Sequence, residues 1–268
     1  LDGLLLARLD RLPEGSKGIA QIASCIGREC SRDLLATVAD ATGEALDAEV
    51  AVLVESDILQ LSGEGASTMY RFRHALIQEA AYKLMLNETR QRLHGSIAQV
   101  LERQFPMMPA YPEVLARHFM LAGAYQKAAD YWNQAGIRDA ERAANQEASD
   151  HFREALATLD KLPEGSQRDD QERDLQVRRS RALSLWRGYA APQVDEALTR
   201  ADLLSRRQGD PHTLFPVLRH VCTFHIVRAT LRDAEGLARD CVRLGEETKF
   251  APFFAEGFTA LGYIKTYF

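Results

Sequence analysis

The fold is decided by Tyr70-Arg-Phe-Arg-His-Ala-Leu-Ile-Gln-Glu-Ala-Ala-Tyr82, where a strand pattern becomes a helix pattern at a histidine. The stretch opens with aromatic residues and arginines in alternation, which is the two-residue period of a half-buried strand. The apolar residues that follow recur at helical spacing on one face: Leu76, Ile77, Ala80, Ala81 and Leu84. His74 thus stands at the start of a predicted helix over 75–86, where free backbone N–H groups and the helix dipole favour an anion. The spacing fits a histidine that senses a phosphate, and equally one that only caps the helix or packs.

The residues upstream predict three helices and a hairpin. Apolar spacing indicates helices over 18–26, closed by Gly27, and over 32–39, with Ser31 as the N-cap. A third helix carries its apolar residues between 46 and 54 and ends near Ser56. Strands at 58–61 and 69–72 flank the turn-rich segment 62–67. This order predicts a winged-helix domain over 1–87, with a leading linker helix over 1–12.

The third helix of a winged helix is the one that enters the major groove of DNA. Here six acids and no lysine or arginine lie in and around that helix: Asp40, Glu44, Asp47, Glu49, Glu55 and Asp57. Such a surface repels phosphates, so we expect no DNA partner. The net charge of −5 also argues against nucleic acid and anionic membranes.

Residues 88–268 are predicted to be almost entirely helical, interrupted by prolines and glycines. A small-x3-large-x2-small element recurs on what we interpret as the second helices of pairs, at 128–135 and 148–155, with weaker copies at 197–204 and 234–241. One unit fits the tetratricopeptide pattern, with packing residues Trp132, Gly136, Ala148, Phe152 and Ala155. The predicted fold is therefore mainly α, a winged helix followed by a tetratricopeptide-like array of unequal repeats. A plain helical bundle is the alternative.

Composition bounds the chemistry. Four cysteines in 268 residues do not make a disulfide scaffold, and no apolar run could span a membrane, so we expect a cytoplasmic protein without a membrane partner. The seven histidines form no His-x3-His pair, and no metal site or nucleophile–base pair is predicted. The cluster Arg178, Arg179 and Arg181 is interpreted as a solvated helix face beside the acids of 169–174. We expect no enzyme activity from this chain, which starts without Met and is expected to be part of a longer protein.

Several segments resemble one protein family, and these segments are 7–13 (ARLDRLP), 23–30 (ASCIGREC), 53–59 (LVESDIL), 70–82, 128–136 and 188–192. They are similar to the region that follows the nucleotide-binding domain in bacterial STAND-type signalling ATPases. The nearest likeness is to those that join a class III adenylate/guanylate cyclase domain to an ATPase and tetratricopeptide repeats.

The resemblance implies a nucleotide switch. In such proteins the winged helix folds onto an upstream nucleotide-binding domain, its histidine touches the phosphates of ADP, and the repeats bind a protein or small-molecule effector. His74 stands where that histidine belongs. The phosphate cradle, and with it ATP or ADP and Mg, is expected upstream, because no Gly-x4-Gly-Lys-Ser/Thr occurs here. Two alternatives stay open: the equivalent segment of a LuxR-type transcription activator, and a free-standing scaffold for protein–protein interaction.

Overall fold

A three-stranded antiparallel sheet and the helices around it form the N-terminal part of the chain. The computed structural model describes residues 8–41, 43–63, 68–104 and 111–266. In chain order the elements are α1 (Glu14–Ile26), β1 (Glu29–Ser31), α2 (Arg32–Ala39), α3 (Gly43–Glu55), β2 (Leu59–Ser62), β3 (Met69–Phe72), α4 (Ala75–Lys83), α5 (Asn87–Gln104) and α6 (Pro112–Leu121). This is the element order of a winged helix followed by further helices. Most of the turn-rich segment between β2 and β3 lies outside the described residues, as does most of the predicted linker helix over 1–12.

Strand β3 lies at the centre of the sheet, between β1 and β2. Leu59 of β2 faces Phe72, and Cys30 of β1 faces Tyr70. Tyr70 and Phe72 are buried while Arg71 between them is exposed, as the alternation predicted. The sequence did not indicate β1, because three residues are too few to establish a period.

The hydrophobic core of this part joins the helices to one face of the sheet. It contains Leu9, Leu12, Ile19, Ala20, Ala23, Cys30, Leu35, Leu46, Val50, Leu53, Ile58, Leu59, Tyr70, Phe72, Ile77 and Ala81. Helix α4 contributes less than its pattern predicted, because Leu76 is 45% and Leu84 39% exposed. The helix also ends at Lys83 rather than at residue 86, and Asn87 already begins α5.

The rest of the chain is helical. Its elements are α7 (Tyr125–Glu141), α8 (Asn145–Leu159), α9 (Ser166–Arg187), α10 (Pro192–Gln208), α11 (Pro211–Val227), α12 (Leu231–Thr248) and α13 (Ala251–Lys265). From α8 onward each helix packs against the next one in the chain, as in a helical-repeat array. The small residues of the repeat element on α10 and α12 are buried, namely Ala197, Ala201, Ala234 and Ala238.

The chain divides into two compact units, residues 1–128 and 129–268, and the division falls within α7. The sequence placed the domain boundary earlier, between 87 and 88. Helix α5 packs against α1 and α2, and α6 packs against α5. The first unit therefore contains the three-stranded sheet and its helices together with α5 and α6.

Candidate functional site

His74 is the N-cap residue of α4, directly after β3. Its backbone is extended, with φ −133° and ψ 134°, and its carbonyl oxygen accepts hydrogen bonds from the N–H of Ile77 at 3.0 Å and of Gln78 at 3.4 Å. The imidazole makes no capping hydrogen bond and is exposed. The side chain is therefore neither a cap nor part of the core in this structure.

The surroundings of His74 favour an anion. The first turn of α4 contains no acidic residue that would offset the positive end of its dipole. The two arginines that precede His74 are already engaged: Arg71 pairs with Glu29 at 2.5 Å, and Arg73 pairs with Asp57 at 3.1 Å. An exposed imidazole beside free helix N–H groups can donate to a phosphate, and the neighbouring arginines are held away from that role.

The structure brings together two histidines that are far apart in the sequence. His94 of α5 and His118 of α6 are both buried, with their Nδ1 atoms 2.9 Å apart. The Nε2 atom of His94 lies 3.0 Å from the hydroxyl of Tyr82, which extends the hydrogen-bonded chain into α4. Burial lowers the pKa of both histidines to about 4; Arg90 adds to the shift at His94, and His94 and Arg117 add to it at His118.

A cleft of about 540 Å³ opens beside this pair, lined by the C-terminal end of α1 and by α4, α5 and α6. Cys25 lies in its wall, and burial raises the pKa of the Cys25 thiol to about 12. A protonated thiol is a poor nucleophile and metal ligand. The cleft thus holds neutral imidazoles and a protonated thiol, which is a set of weakly polar groups without an activated nucleophile.

The predicted packing residues of the repeats lie between α7 and α8. Phe152, Ala148 and Ala155 of α8 are buried, as is Trp132 of α7. A Cβ atom added at Gly136 would lie 2.5 Å from Cε1 of Phe152, so the ring occupies the space that a side chain at Gly136 would need. The elements at 128–135 and 148–155 thus contact each other between α7 and α8.

The indole ring of Trp132 stacks on His151, with the ring centroids 5.4 Å apart and an interplanar angle of 26°. The Nδ1 atom of His151 lies 2.9 Å from a carboxylate oxygen of Asp139, and Arg138 pairs with the same carboxylate at 2.8 Å. A polar cluster therefore closes the α7–α8 contact at the side of the aromatic stack.

The described residues contain neither a metal site nor a membrane-spanning helix. Within 8–41, 43–63, 68–104 and 111–266, no three His, Cys, Asp or Glu side chains are grouped to hold a metal ion. None of the helices in these ranges is both long and apolar enough to cross a membrane. Helix α3 exposes Glu44, Asp47 and Glu55, and the guanidinium of Arg32 pairs with Asp47 at 2.7 Å. The absence of DNA binding stays a prediction.

Comparisons with known proteins give a similarity in sequence and a similarity in structure. No model of a known protein family matches the chain. An uncharacterized protein of Rhizobium meliloti (strain 1021) is 29% identical over 166 residues, which is 61% of this chain and 16% of that protein. The crystal structure of a STAND protein with a tetratricopeptide repeat sensor from Pyrococcus horikoshii matches 96% of this chain and 48% of its own, at 10% identity and a TM-score of 0.33. The chain thus spans well under two thirds of either protein.

Proposed function

We propose that this chain is the regulatory segment of a multidomain signalling ATPase of the STAND type. The winged helix gates nucleotide bound by an upstream domain, and the helical repeats bind an effector. The output under control is synthesis of a cyclic nucleotide by an adenylate/guanylate cyclase domain. The sequence resemblance supports the class of protein. The mechanism rests on one structural observation: the imidazole of His74, at the start of α4, is exposed and makes no capping hydrogen bond.

The gating role follows from what His74 can offer. Its imidazole and the first N–H groups of α4 are hydrogen-bond donors at the same end of the helix, which is the positive end of its dipole. A phosphate of ADP, held with Mg by the upstream domain, would be bound from the side of the winged helix. The resting state would then gain a contact that the active state lacks, and this difference in affinity is what a switch requires.

The repeats supply the other half of the switch. Helical repeats bury their contacts between neighbouring helices and leave a continuous surface for a partner. An effector that binds this surface better in one state than in the other shifts the balance between the states. This chain contributes no catalytic group to that scheme.

The test replaces His74 in the full-length parent protein. A charge-assisted hydrogen bond contributes about 1.5–3 kcal/mol, so His74→Ala should weaken ADP binding by about tenfold or more and raise basal cyclase output. His74→Leu should do the same, since it keeps apolar bulk but loses the donor. The exposed Gln91 of α5 offers a control, and Gln91→Ala should leave ADP binding unchanged.

ADP affinity is measured by isothermal titration calorimetry and cyclase output by product formation. If both His74 variants fold normally and keep wild-type ADP affinity and basal output, His74 does not gate nucleotide and the proposal is wrong.

A further inference from the structure

Two hollows lie side by side in the second unit and share Arg181 and Leu185 of α9. One, of about 330 Å³, lies between α7, α8 and α9; the other, of about 400 Å³, lies between α9 and α11. Helices pack about 8–10 Å apart, so a path from α7 to α11 is about 20 Å long, which is the length of about six residues of extended chain. We call these two hollows together the repeat groove.

The groove has cationic side chains along its floor. Arg178, Arg181 and Leu185 follow each other at helical spacing on α9, and Arg219 faces them from α11. Neither Arg178 nor Arg181 has an ion-pair partner within the part of the chain that the structure describes. Arg219 is held only loosely, 3.7 Å from Glu256, with 64% of its side chain exposed.

A half-buried histidine lies beside these arginines. His220 lines the α9–α11 hollow, and its Nε2 atom lies 3.3 Å from the hydroxyl oxygen of Ser180. Burial, together with the charges of Arg181 and Arg219, lowers the pKa of His220 to about 4. His220 is therefore neutral, while the fixed arginine charges define the potential in the groove. Glu141, at the α7 end, is the opposing charge of the lining.

The groove also exposes apolar surface. Leu185 is 72% exposed, although it projects from a helix between two others. Tyr189 and Phe215 line the α9–α11 hollow together with it. Unpaired arginines beside exposed apolar side chains, arranged along a path too long for a compact metabolite, match a peptide in both charge and length.

We propose that the repeat groove binds an acidic peptide segment with apolar side chains, with Arg178 and Arg181 contacting its carboxylates and the surface around Leu185 receiving an apolar residue. This assigns a class of partner to the effector surface, and its regulatory meaning rests on the function proposed above. Binding itself is a property of the 268-residue chain, so it is measured apart from nucleotide gating.

The probe is a fluorescein-labelled synthetic decapeptide of glutamates with two phenylalanines, followed by fluorescence anisotropy with the 268-residue chain. Two comparison peptides replace the glutamates by lysines or the phenylalanines by serines. The acidic-aromatic peptide should bind at least about tenfold tighter than either, and its binding should weaken as ionic strength rises, because the paired charges are screened.

The variants separate this groove from general surface charge. Arg178→Glu with Arg181→Glu should weaken binding of the acidic peptide by about tenfold or more and strengthen binding of the lysine peptide. Arg232→Glu changes an equally exposed arginine on α12, outside both hollows, and should leave both affinities within about twofold. Both positions in the double variant are exposed on α9, and circular dichroism establishes that the variants fold.

The proposal is overturned if the lysine peptide binds wild-type protein as tightly as the acidic one, or if the double variant keeps wild-type affinity. Failure here with ADP gating intact would leave the switch proposal standing. Peptide binding with normal ADP affinity in the His74 variants would remove the switch and keep the groove.

Discussion

Replacing Gly136 by alanine tests the α7–α8 contact directly. The new Cβ would lie 2.5 Å from Cε1 and 2.6 Å from Cδ1 of Phe152, far inside van der Waals contact. Phe152 is only 2% exposed, so its ring must shift within the α7–α8 contact to accommodate the new Cβ. Overpacking of this kind costs about 1–3 kcal/mol, against which alanine gains about 1 kcal/mol of helix propensity over glycine.

Gly236→Ala is the control that measures the gain in helix propensity without a clash. Gly236 lies inside helix α12, and an added Cβ there meets nothing within 4 Å. Gly236→Ala should therefore stabilise by about 0.5–1 kcal/mol, and Gly136→Ala should be about 1–3 kcal/mol less stable than that variant. Both tryptophans, Trp132 and Trp186, belong to the second unit, so tryptophan fluorescence in a urea titration follows that unit alone.

A second variant identifies the clashing partner. Phe152→Leu replaces the ring that fills the space above Gly136 by a smaller side chain. Gly136→Ala should therefore cost less stability in that background than in wild-type protein. Equal stabilisation by Gly136→Ala and Gly236→Ala would mean that Phe152 is not packed on Gly136, and the α7–α8 contact argued above would be wrong.

Two further predictions concern one glycine contact and one pH dependence. A Cβ at Gly257 would lie 2.8 Å from the backbone oxygen of Ala238, which cannot rotate away. Gly257→Ala should therefore lower the free energy of unfolding by about 1–3 kcal/mol in the same urea titration. Gly262→Ala on the same helix meets open space and should be neutral or stabilising. The folded pKa of His94 and of His118 is lowered from 6.5 to about 4, so the unfolded chain takes up protons first as the pH falls. The first unit should thus keep its full stability above about pH 6.5 and lose it progressively towards pH 4, as measured by urea unfolding under circular dichroism; a double variant with glutamine at both positions should lose this part of the pH dependence.

The sequence predicted those parts of the fold whose signal is local. The change from a two-residue to a helical period at His74 rests on the alternation of Tyr70–Arg73 on one side and on the apolar spacing of 76–84 on the other. The strand alternation was right because Tyr70 and Phe72 face the core while Arg71 faces solvent. The three residues of β1 carry no such period, and their place in the sheet depends on pairing with β3, about 40 positions away.

For the histidine pair, the sequence pattern indicates that each side chain is buried but not that the two are in contact. His94 precedes Ile97, Ala98 and Leu101 at helical spacing, so it lies on the buried stripe of α5. His118 lies similarly beside Leu115 and Phe119 on α6. These patterns indicate that each histidine faces a core. The two histidines are 24 positions apart, and the residues between them give no indication that the two imidazoles meet, because that depends on how α5 packs against α6.

The same limit explains why the basic stretch of α9 was interpreted as a solvated face. In the sequence, the acids of 169–174 lie close enough to neutralise the arginines that follow. In the structure those acids have other partners: Glu172 binds Arg200 of α10 at 2.6 Å, and Asp170 and Asp174 both bind Arg173.

Helix α9 therefore separates its charges along its length, because its acidic first half is neutralised by ion pairs while its basic second half is not. The positive surface at Arg178 and Arg181 exists because the nearest acids are already occupied. A substitution that frees one of them, such as Arg200→Ala releasing Glu172, should weaken binding of an acidic peptide at the groove without touching any residue that lines it. Unchanged peptide affinity in this variant would mean that the groove potential is set by its own arginines alone.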